Sequence, residues 1–211
     1  MIPNHLIAQL QEQLNKTLPG MASQYKMAGS YRSVVSIEEA LEKQAKSAGI
    51  LILVTKMDED FHFLMIQRTT YDGAHSGQMA FPGGKKEPQD ASILDTAIRE
   101  CYEEIGIHIS KSDILGALTP LFIPVSHFVV YPFLAYIDSP LQLIKDPTEV
   151  EEIYLFNIQD FFKPENIQDF SFQIQNQTMT VPSFRFQEQT VWGASAMILS
   201  EWYDLMQNLQ D

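Results

Sequence analysis

Arg99-Glu100-Cys101-Tyr102-Glu103-Glu104-Ile105-Gly106-Ile107 is the stretch on which the reading of this 211-residue chain turns. Ala97, Cys101 and Ile105 recur every fourth residue, which is the apolar stripe of a helix, and Gly106 supplies its stop. Residues three and four apart share a helix face, so Glu100, Glu103 and Glu104 are expected to project their carboxylates to one side. Three like charges in one patch repel and cost helix stability. A hard divalent cation relieves that repulsion, because Mg²⁺ takes oxygen ligands and keeps waters for substrate phosphates. The rigid fork of Arg99 can orient a neighbouring carboxylate. Taken alone, the pattern is also that of an ordinary solvated acidic face. The preceding sequence tips the balance: Phe81-Pro82-Gly83-Gly84 reads as a turn that needs glycine freedom and delivers backbone groups to the start of the helix. A helix start favours anions, so turn, helix and acidic patch together read as a phosphate-and-metal site.

Outward from this segment, a helix is predicted over 91–105 and strands over 49–56 and 61–68, with a turn at 57–60. Residues 1–18 read as an amphipathic helix carrying Leu6, Ile7, Leu10 and Leu14. Ser36-Ile37-Glu38-Glu39 has capping-box spacing and opens a short helix to about residue 48. Further β-like stretches lie at 114–123, 128–137 and 149–157; 170–186 reads as a hairpin about Asn176-Gln177, and 193–209 as a final helix. Strands and helices mix without a βαβ rhythm, which argues α+β with a mixed sheet. No repeat or linker divides the chain, so it reads as one domain over 1–211, with a helical extension at 1–48 and a core at 49–205.

Composition narrows the classes. Hydrophobic residues at 45% suffice for a packed core. No apolar run approaches the roughly 20 residues of a membrane span, and the first residues lack the basic start and apolar block of a signal peptide. Cys101 is the one cysteine, which excludes an intrachain disulfide and a zinc–thiolate cluster and fits a reducing, cytoplasmic setting. A net charge of −13 repels polyanions and argues against duplex nucleic acid as a partner. With only 14 Lys and Arg, a phosphate substrate would need another positive group, and a metal ion is the natural one.

In their spacing, Gly84, Asp90 and residues 99–107 resemble the Nudix box: Gly, five residues, Glu, seven residues, then Arg-Glu-aliphatic-x-Glu-Glu-x-Gly-aliphatic. Asp90 stands where the family has Glu, residues 91–98 make the spacing one longer, and Cys101 replaces the aliphatic residue. The resemblance implies an α/β/α sandwich around a mixed β-sheet, with the box as its loop–helix–loop, and metal-dependent hydrolysis of a diphosphate. By position it makes Glu100 and Glu104 ligands of Mg²⁺ or Mn²⁺, with the Gly84 carbonyl as a further ligand. It makes Glu103 an additional ligand or the water-activating base, and Arg99 the group that orients the carboxylates. Many members draw a base from outside the box; Glu149, Glu151 and Glu152 are candidates here, of which Glu149 is taken as catalytic, against the plainer reading of an acidic strand edge.

The upstream segment, Arg68-Thr69-Thr70-Tyr71-Asp72-Gly73-Ala74-His75-Ser76-Gly77-Gln78-Met79-Ala80-Phe81-Pro82-Gly83-Gly84, is similar to the motif preceding the box in Nudix coenzyme A diphosphatases. Those enzymes also tend to show the longer box with Asp. This similarity implies hydrolysis of coenzyme A (CoA) or a derivative to 4′-phosphopantetheine and adenosine 3′,5′-bisphosphate, with Arg68, His75, Gln78 and Lys85 as substrate-binding candidates. His75 can equally brace its loop. Gly73 departs from the arginine of many members, and Lys85 and Lys86 are the candidates to replace it. A Nudix hydrolase for ADP-ribose, a dinucleotide or a nucleoside triphosphate is the second reading, and a non-catalytic ligand-sensing module the third. Phe161, Phe162, Phe170 and Phe172 read as exposed and suggest a homodimer; Phe122, Phe128 and Tyr131 read as core, and Trp192 as buried against the sheet. His127, after Pro124-Val125-Ser126, reads as a surface histidine at a turn, and His5, His62 and His108 as incidental.

Overall fold

The computed structural model describes residues 6–30, 32–73, 75–138, 141–174 and 177–209; His5 lies outside them, as does the tip of the 170–186 hairpin. In chain order the elements are α1 (Leu6–Leu14), α2 (Gly20–Gln24), α3 (Ile37–Glu42), β1 (Lys46–Met57), β2 (Asp60–Arg68), β3 (Met79–Ala80) and β4 (Gly83–Lys85). There follow α4 (Ile93–Ile105), β5 (Ile114–Ala117), β6 (Leu121–Ile123), β7 (Phe128–Ile137), β8 (Val150–Asn157), β9 (Ile167–Ile174), β10 (Gln177–Phe186), β11 (Gln189–Trp192) and α5 (Gly193–Gln207). Among the described residues, eight strands form a mixed sheet and β9, β10 and β11 a second one.

Strand β1 is the spine. It runs parallel to β7 from the Lys46–Phe128 pair to the Thr55–Ile137 pair. At its end it turns back into β2, and near its start it pairs antiparallel with β4 through Ala48–Lys85, Gly49–Gly84 and Ile50–Gly83. Leu51, Ile52, Leu53 and Val54 are all buried, so both faces of the strand are covered and its sequence reads as a continuous apolar run rather than an alternation. Leu51, Leu53, Leu64 and Ile66 pack with Ala97, Cys101 and Ile105 of α4. Ile52, Val54, Phe63 and Met65 pack in the other direction with Leu10 of α1, Phe184 and Phe186 of β10, and Trp202 of α5. That is the three-layered sandwich expected from the sequence. Gly49 permits the close approach of α4, because a Cβ there would lie 2.4 Å from the Ile93 carbonyl oxygen. No helix among the described residues is long and apolar enough to cross a membrane.

Local expectations change in several places, and the N-terminal helix, expected to reach residue 18, ends at Leu14. The helix opened by Ser36 ends at Glu42, since the chain from Lys46 onward is captured as a sheet strand by β7. The 114–123 stretch divides into β5 and β6 around Thr119 and Pro120. Gly83 and Gly84 lie in strand β4 rather than in a turn, and their lack of side chains serves close packing. Finally, Phe161 is a core residue stacked on Phe63, while Phe170 and Phe172 pack on a half-buried Trp192.

The division at Thr119 has a specific cause. Glu201 of α5 is fully buried, and its carboxylate accepts hydrogen bonds from the Gly20 amide, the Thr119 amide and hydroxyl, and the Gln24 side chain. One carboxylate thus ties the N-terminal extension and the β5–β6 connection to the last helix. Glu201→Ala strands these donors and is expected to lower stability by about 3 kcal/mol, or roughly 6–12 °C in Tm for a domain of this size. A loss below about 1 kcal/mol in urea unfolding would show that the network is not what holds the extension.

Candidate functional site

Helix α4 is framed for its task by local chemistry. Ser92 caps it, accepting from the Asp95 amide, and Gly106 closes it with φ 74°. The last carbonyls of a helix lack intrahelical partners. Here Glu104 O and Ile105 O accept from the amides of Asp146 and Ile144, which pins the 144–146 loop to the helix end. Three residues beyond that loop comes Glu149, whose carbonyl accepts from the Thr69 amide next to a β-bulge at Gln67 and Arg68. Bulges of this kind redirect side chains and end regular pairing.

The result is a group of three carboxylates. Ligand atoms of Glu100, Glu104 and Glu149 all lie within 4.8 Å of one another. Glu104 is only 1% exposed; its Oε2 accepts from the Gly83 amide at 2.8 Å, while its buried Oε1 has no hydrogen-bond partner. Arg68 Nη1 stands 3.6 Å from that same oxygen. Burial, above all, pushes the Glu104 carboxyl up to about 8; the Gly83 amide and Arg68 oppose the shift, and Glu100 and Glu149 add to it. Glu100 is raised as well, again chiefly by burial and against the pull of Arg99. A carboxylate set with an orphaned buried oxygen is what a hard divalent cation satisfies, so the residues present fit such an ion.

Arg99 is the hub beneath this group. It donates to Asp90 through Nε at 3.0 Å and Nη2 at 3.1 Å, to Glu103 at 2.7 Å and to the Lys85 carbonyl at 3.3 Å, and it pairs with Glu100 at 2.9 Å. Asp90 is buried, also accepts from Thr96 and the Glu87 amide, and is held well below the usual carboxylate range mainly by Arg99. Asp90 therefore fixes the arginine. Glu103 stands apart: its side chain is 54% exposed and engaged by Arg99. Of the three box glutamates, the structure joins Glu100 and Glu104 and adds Glu149 from the turn that precedes β8. Gly84 lies against them, because a Cβ there would be 2.5 Å from the Glu100 carboxyl carbon.

A cavity of about 280 Å³ opens beside this group, and Arg68, His75, Gln78 and Lys85 all line it. Its remaining wall is largely apolar, with Ile50, Phe81, Phe128, Val130, Trp192 and Ile198. Phe128 packs against the core as expected and also faces the cavity, whereas Trp192 is only half-buried and lines the cavity. His75 takes φ 71°, and its Nδ1 lies 3.1 Å from Gln78 Oε1, so it braces the loop while lining the cavity. Lys86 donates to the Asp90 carbonyl and belongs to the loop rather than to the cavity. His127 bonds the Lys43 carbonyl, and His108 stacks on Tyr102. Sequence reasoning missed the partnership of Asp90 with Arg99 and the Gly83 amide on Glu104; no periodicity signals either one.

The same chain regions carry the likeness to known proteins. The NUDIX domain model matches residues 43–175. The uncharacterised Nudix hydrolase NudL of Photorhabdus laumondii is 31% identical over 138 residues, which span 65% of this chain and 73% of that protein. The mitochondrial coenzyme A diphosphatase NUDT8 of Mus musculus is 32% identical over 131 residues, 60% of this chain and 61% of that protein. Among solved structures, a MutT/nudix family protein from Enterococcus faecalis superposes with a TM-score of 0.56 at 20% identity, covering 82% of this chain and 70% of that one, which is a likeness of fold.

Proposed function

This chain belongs to the NUDIX domain family and is a hydrolase of phosphorus-containing anhydrides; from that premise we propose that it cleaves the diphosphate bond of coenzyme A or a CoA derivative. The products are 4′-phosphopantetheine and adenosine 3′,5′-bisphosphate. The observation that carries this reading is the cavity: Arg68, His75 and Gln78, from the 68–84 segment whose sequence resembles that of CoA diphosphatases, line one hollow beside the carboxylate group together with Lys85, which follows that segment. The name of the relative at 32% identity supports it.

Nudix enzymes use divalent metal ions, and Mg²⁺ or Mn²⁺ is the proposed ion here, held by Glu100 and Glu104 with the Gly84 carbonyl as a further ligand and the Glu149 carboxylate beside them. Such an ion, when bound, neutralises the diphosphate and lowers the pKa of a water. The chain's own residues do the rest. Arg68 and Lys85 receive the phosphates and orient the scissile bond, and the apolar wall excludes bulk water from one side. Water attacks one phosphorus, the bridging P–O bond breaks, and a carboxylate takes the water's proton. Glu149 is preferred to Glu103 for that proton, because Glu149 belongs to the carboxylate group whereas Glu103 is occupied in holding Arg99. Arg99 keeps Glu100 aimed at the group.

The test is product analysis with Mg²⁺ or Mn²⁺ and a panel of CoA, acetyl-CoA, ADP-ribose, NADH and dGTP. Adenosine 3′,5′-bisphosphate from the CoA compounds alone is the expected result. Turnover of ADP-ribose or NADH without CoA would discard the substrate and keep the chemistry.

A further inference from the structure

The two arginines beside the carboxylate group are held very differently. Arg99 is locked by Asp90, Glu103 and the Lys85 carbonyl in addition to Glu100. Among the described residues Arg68 makes one ion pair, at 3.6 Å, with Glu104 Oε1, the oxygen of that carboxylate that has no hydrogen bond. Its side chain is 26% exposed and lines the cavity. It also sits on the bulge, where strand pairing shifts. It is therefore the cation that can leave.

We propose that Arg68 is the counter-ion that Glu104 exchanges for the metal, and that the released guanidinium then grips a phosphate of the substrate. This rests on the metal-dependent diphosphatase reading and adds a coupling to it. While Arg68 stays on Glu104 it opposes a cation at that oxygen. Once a cation takes the oxygen, the guanidinium is repelled toward the cavity, where a planar fork suits a phosphate. Metal and diphosphate then favour one another through one side chain, and such coupling is reciprocal.

The experiment measures two affinities on the intact protein. Mn²⁺ is titrated in the absence of substrate, with the free ion followed by electron paramagnetic resonance. The non-hydrolysable diphosphate α,β-methylene-ADP is titrated calorimetrically on the Mn²⁺-loaded protein. In Arg68→Gln the Mn²⁺ Kd is expected to fall about threefold to tenfold, because a charge opposing the ion is gone, and the analogue Kd to rise about tenfold. Arg68→Lys keeps the charge without the fork; it is expected to hold the Mn²⁺ Kd near wild type and still weaken the analogue. A Mn²⁺ Kd unchanged or raised in Arg68→Gln, with circular dichroism showing a folded protein, overturns the exchange. An unchanged analogue Kd overturns the phosphate grip. Neither readout involves CoA, so failure of the substrate assignment would show separately, in the product panel.

Discussion

Glu104→Gln is expected to fold as the wild type does and to lose at least about 100-fold in kcat, with Mn²⁺ affinity lost in parallel. The glutamine oxygen can still accept from the Gly83 amide, so the packing at the end of α4 survives. What disappears is the negative charge on a nearly fully buried oxygen pair. Circular dichroism and Mn²⁺ titration check this, and near-wild-type turnover would remove Glu104 from the site. The substitution also has a signature in the metal-free protein. The Glu104 carboxyl sits near 8 when folded, against an ordinary value near 4.5. A raised folded value means that the folded state holds its proton longer than the unfolded chain does. Stability in EDTA should therefore fall as pH rises between those two values, and level off above about 8. Glu104→Gln should flatten that slope, and added metal should offset it in the wild type alone.

The second large effect separates two adjacent glycines. At Gly83, φ is 149° and an added Cβ would lie 2.4 Å from the Gly49 carbonyl oxygen and 2.6 Å from Ile50 Cα. Both are backbone of the central strand and cannot give way. Gly83→Ala is expected to destabilise the fold by 3 kcal/mol or more, on the order of the largest single-site effects. At Gly84 the Cβ would meet the Glu100 carboxylate, with its carbon at 2.5 Å. That is the far end of a side chain, and it can swing away. Gly84→Ala should therefore keep its Tm within about 2–3 °C while losing roughly 10–100-fold in activity and metal affinity, through displacement of Glu100. Thermal unfolding and turnover of the pair decide it. Equal stability losses in both variants would mean that Glu100 is not free to move, and full activity in Gly84→Ala would mean that Glu100 need not stay where it is.

The core elements were legible because their signals are local. The apolar run from Leu51 to Val54 requires burial on both sides, and the Ala97–Cys101–Ile105 stripe requires a helix facing that strand. Less legible were segments whose conformation is set by a distant partner. Nothing between Ser36 and Ala48 indicates that Lys46 begins a strand, because its pairing partner Phe128 lies more than eighty positions away. Glu201 carries no local signal of burial within the predicted final helix, yet Gly20, Gln24 and Thr119 surround it.

The site divides along the same line. By itself the sequence determined the helix, its carboxylates, the small residues that run beside it and the cations upstream, since each follows from residue type at fixed spacing along one element. The tertiary structure decided which carboxylates share a point in space. Helical geometry alone puts Glu100, Glu103 and Glu104 on one side, yet Arg99, fixed by Asp90, draws Glu103 outward. A loop hydrogen-bonded to the end of α4 and a bulge at Arg68 bring Glu149 inward in its place. Those choices depend on which unsatisfied backbone and side-chain groups meet when the sheet closes, and a periodic pattern cannot encode such meetings.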